Sequence, residues 1–286
     1  MASQREIDAM RLAITLSARG IGTTSPNPPV GCVVLDVHGK VVGTGYHERK
    51  GEPHAEAHAL AAAGELARGG TAVVTLEPCN HVGRTPACRQ ALLDAGVARV
   101  VIALIDPTSR GEGGAAVLRS AGVDVEVGVL ADEARLVLGD YVATVERKRP
   151  VVTWAYPMTG YAIDLATFGE LRAAADVVVN ADGRVRESLA GSHGNGILRL
   201  PDELDATDTD QSMKCLFEGG VRSVLLLGRS TLGDDWLASG VVDRILIYGP
   251  IAGPAGAWAG PEGFVVSGIT RTDRYVRADL ARSAPA

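Results

Sequence analysis

Residues 51–56 read Gly-Glu-Pro-His-Ala-Glu, residues 75–79 read Thr-Leu-Glu-Pro-Cys, and a further cysteine follows at position 88. The Ala/Leu-rich stretch Glu56–Arg68 predicts a helix, and the apolar run Ala72–Leu76 predicts a buried strand. His54 therefore lies where a helix begins, Cys79 follows a strand, and Cys88 begins the next helix. These strand–helix junctions are typical of an α/β protein.

The same alternation extends to both sides of this stretch. Val30–Asp36 and Val41–Tyr46 predict two antiparallel strands joined through His38 and Gly39. The further predicted elements are a helix over Ile7–Leu16, a helix over Cys88–Ala95, a strand over Arg99–Ile105, a helix over Ala115–Ala121, a strand over Asp124–Val129 and a helix over Asp132–Glu146. A hairpin followed by βα units predicts a mixed five-stranded sheet between layers of helices.

The charged stretch Glu146–Pro150 predicts a boundary between two domains, residues 1–147 and residues 148–286. The second domain also has an α/β pattern. Its predicted strands are Val151–Ala155, Asp176–Asn180, Ser223–Leu227 and Ile245–Tyr248, and its predicted helices are Leu165–Ala174, Gln211–Phe217 and Leu232–Ser239. The polar stretches 181–196 and 201–210 predict loops, and the polar tail from Arg271 predicts a frayed end.

Composition excludes several classes of protein. A net charge of −6 and 4% aromatic residues disfavour nucleic-acid binding. No apolar run reaches the roughly 18 residues of a membrane helix, and the first residues lack the apolar block of a signal peptide. Four cysteines are too few and too unevenly spaced for a disulfide framework. We expect a cytoplasmic protein that acts on a small molecule, with neither a nucleic-acid nor a membrane partner.

His54, Cys79 and Cys88 form the strongest group of chemically specialised residues. One imidazole and two thiolates suit Zn²⁺, and three protein ligands leave a fourth position open, as in catalytic zinc sites. Glu56 lies two residues after His54, where it could shuttle protons without binding the metal. The pattern H-x-E followed by P-C and a second Cys is typical of zinc deaminases, in which the glutamate is the general acid and base.

Other interpretations of these residues are weaker. His54 and His58 have the spacing of a zincin, but that motif requires Glu immediately after the first histidine, where this chain has Ala55. Cys32 and Cys215 lie in apolar runs and are predicted to be core residues, whereas His38 and His193 lie in Gly-flanked loops and are predicted to be solvated. A structural zinc in a non-catalytic scaffold would not require Glu56.

The chain from Met10 to Arg147 closely resembles the deaminase domain of the bacterial bifunctional riboflavin biosynthesis proteins, which join a pyrimidine deaminase to an NADPH-dependent ribose reductase. The matching segments are Thr24–Gly31, Gly45–His47, Gly51–Glu56, Thr75–Cys79, His81, Gly83–Pro86, Cys88, Ala95–Arg99 and Asp106-Pro107. Eight residues separate Cys79 from Cys88, whereas other deaminases of this type commonly have two.

This resemblance implies a cytidine-deaminase-like three-layer α/β/α sandwich and hydrolytic deamination of a diamino-(ribosylamino)pyrimidinone 5′-phosphate. It implies that zinc is bound by His54, Cys79 and Cys88 and that Glu56 is the proton shuttle. It further implies that substrate is contacted by Asn27, His47, His81 and Arg84. A homodimer is expected if the second domain keeps the self-association surface of the family.

The second half resembles the dihydrofolate-reductase-like domain of the same proteins in the order of its elements, but not in its motifs. Pro157–Gly160 stands where the family has Ser-Leu-Asp-Gly, Asn180–Arg186 replaces a longer Gly-rich segment, and Leu227–Arg229 replaces Glu-Gly-Gly. We therefore expect a shortened, degenerate reductase domain without cofactor or NADPH reduction, retained for packing or self-association. A paralogous zinc deaminase, acting on another pyrimidine, purine or pterin-like base in specialised metabolism, is the alternative function.

Overall fold

The computed structural model describes residues 1–80, 87–109, 111–205, 208–251 and 260–283. The chain divides into two compact units, Met1–Arg147 and Lys148–Ala286. No helix within these described ranges is both long enough and apolar enough to cross a membrane.

The first unit contains a five-stranded mixed sheet in the order β2-β1-β3-β4-β5. Its elements are α1 (Gln4–Ser17), β1 (Gly31–Leu35), β2 (Val41–Tyr46), α2 (Ala55–Ala63), β3 (Thr71–Leu76), α3 (Cys88–Asp94), β4 (Arg99–Leu104), α4 (Gly113–Ser120), β5 (Asp124–Val127) and α5 (Ala131–Arg147). β1 runs antiparallel to β2 and β3, while β3, β4 and β5 are parallel. The predicted mixed α/β sheet is confirmed.

Helices cover both faces of this sheet. Cys32 and Val34 of β1 pack into the core beneath α2, α3 and α4, whereas Val33 and Leu35 pack into the core beneath α1 and α5. All five residues of β1 are buried, because a strand covered on both faces has no polar side. The result is the three-layer α/β/α sandwich that the sequence predicts.

The helix predicted over Glu56–Arg68 is shorter in the structure. α2 ends at Ala63, and Gly64 takes a φ of +54°, in the left-handed region that favours glycine. A short 3₁₀ turn over Gly64–Ala67 then leads toward β3. The sequence pattern did not predict the end of the helix at this point, because the alanine-rich composition favours a helix on both sides of Gly64.

The second unit contains a seven-stranded sheet in the order β11-β12-β10-β6-β9-β7-β8. Its elements are β6 (Val151–Pro157), α6 (Leu165–Ala173), β7 (Val177–Val179), β8 (Val185–Glu187), α7 (Thr209–Glu218), β9 (Ser223–Leu227), α8 (Thr231–Ala238), β10 (Val242–Gly249), β11 (Phe264–Arg271) and β12 (Val276–Arg282). The four central strands are parallel, and β8, β11 and β12 pair antiparallel.

Two predictions for this unit are wrong. The tail from Arg271 is not frayed, because β12 pairs with both β10 and β11 and buries Ala278 and Leu280. The polar stretch after Asn180 is not only a loop, because β8 pairs with β7 at the other edge of the sheet. In β12 polar residues alternate with apolar ones, and this period of two is what a strand with one buried face requires.

His193 is fully buried, so the prediction that it is solvated is also wrong. Its Nδ1 lies 2.9 Å from Glu187 Oε1, and its Nε2 lies 3.1 Å from Asp176 Oδ1. The other Asp176 oxygen accepts hydrogen bonds from the backbone N–H groups of Arg222 and Ser223. The imidazole therefore joins the segment after β8 to the starts of β7 and β9.

Burial lowers the pKa of His193, but the hydrogen bonds and charges of Asp176 and Glu187 outweigh this effect, so its pKa is raised above the ordinary value. An imidazolium can donate to both carboxylates at once, whereas a neutral imidazole has only one N–H. Asp176, His193 and Glu187 thus form a charged clamp inside the second unit.

We predict that the second unit is more stable below pH 6.5, the ordinary pKa of histidine, than at alkaline pH. A raised folded-state pKa contributes stability that is complete below the unfolded-state pKa and is lost as pH rises through the folded-state value. His193→Gln, which cannot donate to both carboxylates, should remove this dependence and lower the free energy of unfolding by roughly 3–5 kcal/mol.

Urea unfolding at pH 6 and pH 9, followed by tryptophan fluorescence, measures both effects, because Trp154, Trp236 and Trp258 all lie after residue 148. The matched control is His38→Gln, since His38 is exposed in the first unit. An unchanged pH dependence in His193→Gln would show that the clamp carries no charge.

Candidate metal centre

Three junctions of the first unit bring His54, Cys79 and Cys88 together. His54 is the residue immediately before α2, Cys79 follows β3, and Cys88 is the first residue of α3. The possible ligand atoms of these three residues all lie within 4.8 Å of one another. Among the residues that the structure describes, this is the one group of three or more side chains with the spacing of a metal site.

Hydrogen bonds among these residues concentrate negative charge on Cys79. His54 Nδ1 lies 3.2 Å from Cys88 Sγ and 3.8 Å from Cys79 Sγ, and the Cys88 backbone N–H donates to Cys79 Sγ at 3.3 Å. The Cys88 thiol and then His54 lower the pKa of Cys79 to about 4. The neighbouring Cys79 sulfur and burial raise the pKa of Cys88.

This donor set fits zinc. A thiolate beside a second thiol and an imidazole offers the soft sulfur and nitrogen ligands that zinc prefers, and a bound cation deprotonates a coordinating thiol. Both cysteines are thiols rather than halves of a disulfide. His58, the second histidine of the zincin alternative, is not a member of the group.

Glu56 lies in the first turn of α2 and is 3% exposed. Burial raises its pKa, although the nearby His54 opposes this change. Glu56 is outside the group of possible ligands. The structure therefore holds a buried carboxylate next to the metal centre that is not needed for metal binding.

His47 contacts this centre, and Asn27 is hydrogen-bonded to His47. The His47 ring makes an edge contact with the His54 ring, with 5.0 Å between centroids. The Asn27 side-chain amide donates to His47 Nε2 at 3.2 Å, and His47 Nδ1–H donates to the Pro53 carbonyl at 3.1 Å. Burial lowers the pKa of His47 to about 4, so the ring is neutral at pH 7. His81 and Arg84, the other two predicted substrate contacts, lie outside the described residues.

Two glycines bring α2 close to the sheet. A Cβ on Gly45 would lie 2.4 Å from the Ala55 carbonyl oxygen, and a Cβ on Gly43 would lie 2.1 Å from the Ala59 carbonyl oxygen. Neither position can hold a side chain unless the helix moves. Because His54 immediately precedes this helix and Glu56 lies in its first turn, the glycines of β2 set the position of both residues.

Glu77 belongs to the segment Thr75–Cys79 of the sequence motif, but sequence reasoning assigned it no role. It is 5% exposed, and its Oε1 accepts a hydrogen bond from the Ala115 backbone N–H at 2.9 Å. A Cβ on Gly114 would lie 1.9 Å from the Pro78 carbonyl oxygen. Glu77 thus ties the segment that carries Cys79 to the first turn of α4. The sequence feature that could have indicated this role is the position of an acidic residue directly after an apolar strand.

Lys50 is a second residue that sequence reasoning missed. Its Nζ donates to Asn27 Oδ1 at 2.6 Å, and the side chain is half-buried. The only signal in the sequence was its position three residues after His47, in the segment that leads to His54.

Comparison with known proteins finds relatives of the first unit. Residues 3–104 match the family described as the cytidine and deoxycytidylate deaminase zinc-binding region. The riboflavin biosynthesis protein RibD of Aquifex aeolicus is 48% identical over 161 residues, which cover 54% of this chain and 45% of that protein. The diaminohydroxyphosphoribosylamino-pyrimidine deaminase of Buchnera aphidicola is 47% identical over 127 residues, which cover 44% of this chain and 86% of that protein.

Solved structures match a larger part of the chain. A crystal form of RibD from Acinetobacter baumannii superposes with a TM-score of 0.80 at 26% identity, covering 98% of this chain and 99% of that chain. A Thermotoga maritima protein, described as a deaminase and 5-amino-6-(5-phosphoribosylamino)uracil reductase, has the same TM-score at 23% identity. By sequence, however, the match spans less than half the length of the RibD relative from Aquifex aeolicus.

We predict that Gly45→Ala destabilises the first unit by about 1–3 kcal/mol, because the added methyl group forces α2 away from β2. Gly139→Ala is the matched control, since a Cβ there meets nothing closer than 3.9 Å and alanine favours the helix. Chemical unfolding followed by circular dichroism compares the two variants. Equal stability of both would contradict the close approach of α2 to the sheet.

Proposed function

This chain belongs to the diaminohydroxyphosphoribosylaminopyrimidine deaminase family, and we propose that its first unit, residues 1–147, is a zinc-dependent deaminase of a diamino-(ribosylamino)pyrimidinone 5′-phosphate. The observation that carries this proposal is the convergence of His54, Cys79 and Cys88 beside the buried carboxylate of Glu56. The name of the Buchnera relative, most of whose length this chain covers, supports the substrate class.

His54, Cys79 and Cys88 would hold the zinc ion through one nitrogen and two sulfur atoms. When bound in such an open three-ligand site, zinc lowers the pKa of water to about 7 and makes a nucleophile accessible near neutral pH. Because both cysteines must stay reduced to bind metal, the proposal includes a cytoplasmic location, where thiols persist.

Glu56 would move the protons of the reaction. Its carboxylate takes a proton from the attacking water as the water oxygen bonds to the amino-bearing ring carbon. The protonated carboxyl group then gives this proton to the ring nitrogen. The carboxylate next takes the proton of the added hydroxyl group and delivers it to the leaving amine, so that the carbon–nitrogen bond breaks, a carbonyl group forms and ammonia leaves. Its burial supports this role, because a carboxylate removed from bulk water holds a proton more readily.

Asn27 and His47 would form a polar wall of the substrate site next to His54. Their hydrogen bonds hold both side chains in fixed orientations, which a positioning surface requires. From the family resemblance, His81 and Arg84 would contact the base or the ribose phosphate, and the planar guanidinium of Arg84 suits a phosphate.

The second unit, residues 148–286, would not reduce the product. The Trp154 indole N–H donates to the Gly228 carbonyl at 2.7 Å, and the indole lies 2.4 Å from where a Cβ on Gly233 would be. The Arg229 guanidinium stacks over the Tyr156 ring, 4.3 Å from its centroid. These side chains pack at the turn between β9 and α8, where the resemblance places a glycine pair for the cofactor, and this packing supports the proposal.

We propose that this unit serves packing and self-association as a homodimer. Its edge strand β11 exposes Val265, Val266 and Ile269, which are 53%, 49% and 67% accessible. An exposed edge strand with apolar side chains is a ready template for pairing with a second chain.

We predict that the purified chain carries about one zinc ion and releases ammonia from the diamino-(ribosylamino)pyrimidinone 5′-phosphate. Glu56→Gln should keep the zinc and lose activity by about a hundredfold or more, because general acid–base catalysis contributes that much. Cys88→Ser should lose both zinc and activity.

Metal analysis and an ammonia assay on each variant check this prediction. Cys215→Ser is the matched control, because Cys215 lies in the second unit and should affect neither measurement. Faster ammonia release from a free base or a nucleoside than from the phosphate would favour the paralogous deaminase instead. Full activity in Glu56→Gln would refute the assigned role of Glu56.

We also predict that the chain does not oxidise NADPH when it is supplied with the deaminated ribosyl product. NADPH absorbance measures this reaction, and the Thermotoga maritima protein whose description includes a uracil reductase is the positive control. Arg229→Gly should not restore reduction, because Trp154 still occupies the turn. Product-dependent oxidation of NADPH by the wild-type chain would overturn this part of the proposal.

A further inference from the structure

A chain of three hydrogen bonds runs from Lys50 to the peptide that carries His54. Lys50 Nζ donates to Asn27 Oδ1 at 2.6 Å, and the other end of the same amide donates to His47 Nε2 at 3.2 Å. His47 Nδ1–H donates to the Pro53 carbonyl at 3.1 Å, and Pro53 directly precedes His54.

The two end groups of this series of hydrogen bonds fix the direction in which each bond is donated. An ammonium group can only donate and a backbone carbonyl can only accept. Asn27 must therefore turn its oxygen toward Lys50 and its NH₂ group toward His47. His47 Nε2 must then be the acceptor, so the ring proton is on Nδ1, where it reaches the Pro53 carbonyl. With a neutral His47, this is the one arrangement of protons that satisfies all three bonds.

We propose that Lys50 is a positioning residue that sets the orientation of the Asn27 amide and, through it, the tautomer of His47. The role in catalysis rests on the proposed deaminase function, since it is for that reaction that Asn27 and His47 would line the site. Without Lys50, the amide can turn over and present its oxygen to His47. The His47 proton then moves to Nε2, and the hydrogen bond to Pro53 beside the metal ligand is lost.

The contacts of His47 support an effect on the site itself. The ring is 2% exposed, so water cannot replace a lost partner without a cost in free energy. Its edge contact with the His54 ring links the orientation of His47 to that of a zinc ligand. Lys50 acts on both through Asn27, across 23 residues of sequence.

The test compares Lys50→Met, whose side chain has a similar length but no hydrogen-bond donor, with Lys50→Arg. The arginine side chain can only donate, so it preserves the direction of the three hydrogen bonds. Lys40→Met is the matched control, because Lys40 is exposed and precedes β2, whereas His47 follows the other end of that strand. All variants are studied as the full zinc-loaded chain, with zinc content confirming an intact centre.

The first measurement is the ¹⁵N NMR spectrum of the His47 ring at pH 7.5. The wild type and Lys50→Arg should show the single Nδ1–H tautomer, and Lys50→Met should show a mixture of the two tautomers. The second measurement is deamination. Lys50→Met should lower kcat by about tenfold, Lys50→Arg should recover most of this loss, and Lys40→Met should equal the wild type.

An Nδ1–H tautomer that is unchanged in Lys50→Met would overturn the proposal, whatever the activity. A changed tautomer with unchanged kcat would remove Lys50 from the catalytic site while leaving its hydrogen-bonding role. If the wild-type chain releases no ammonia, the deaminase function fails, and the NMR spectra still decide whether Lys50 sets the state of His47.

Discussion

The close approach of α2 to β2 is the constraint on which the candidate site depends. The Ala55 and Ala59 carbonyl oxygens lie within 2.4 Å of where side chains on Gly45 and Gly43 would begin, so only glycine allows this contact. Protein interiors transmit such displacements rather than absorb them, because they are close-packed. The position of the first turn of α2, and with it the positions of His54 and Glu56, is therefore set by two residues without side chains.

A second anchor fixes the segment that carries Cys79 independently. Glu77 hydrogen-bonds to the first turn of α4, and the Glu77 backbone N–H donates to Leu104 at the end of β4. The segment through Pro78 is thereby held against two elements before it reaches Cys79. Since the α2 anchor and the Glu77 anchor both belong to the rigid sandwich, the donor atoms meet without a large rearrangement. A preorganised site of this kind loses little conformational entropy when a ligand binds.

The grouping of His54, Cys79 and Cys88 could be predicted from the sequence because residue type and position at strand–helix junctions are local properties. The roles of Glu77 and Lys50 could not, because their partners lie 38 and 23 residues away. The prediction that His193 is solvated was wrong for a similar reason. Its glycine neighbours are typical of a solvated loop, whereas its burial depends on Asp176 and Glu187 in other segments. The sheet of the first unit followed from apolar runs, but β12 was missed because three of its seven residues are charged.

In our proposal, the second unit no longer keeps a ligand site, and this has consequences for its packing. A turn shaped for a cofactor phosphate leaves a cavity if the ligand is absent, and an unfilled cavity costs stability in proportion to its volume. Trp154 and Arg229 fill this space in our proposal, and each gains a contact of its own, with the Gly228 carbonyl and with the Tyr156 ring. Once such side chains are packed, replacing one of them cannot recreate the site. Loss of reductase activity would then involve a change in side-chain packing as well as in sequence motif. A unit with such a well-packed core can be retained because it is stable and because its exposed edge strand can pair with a second chain.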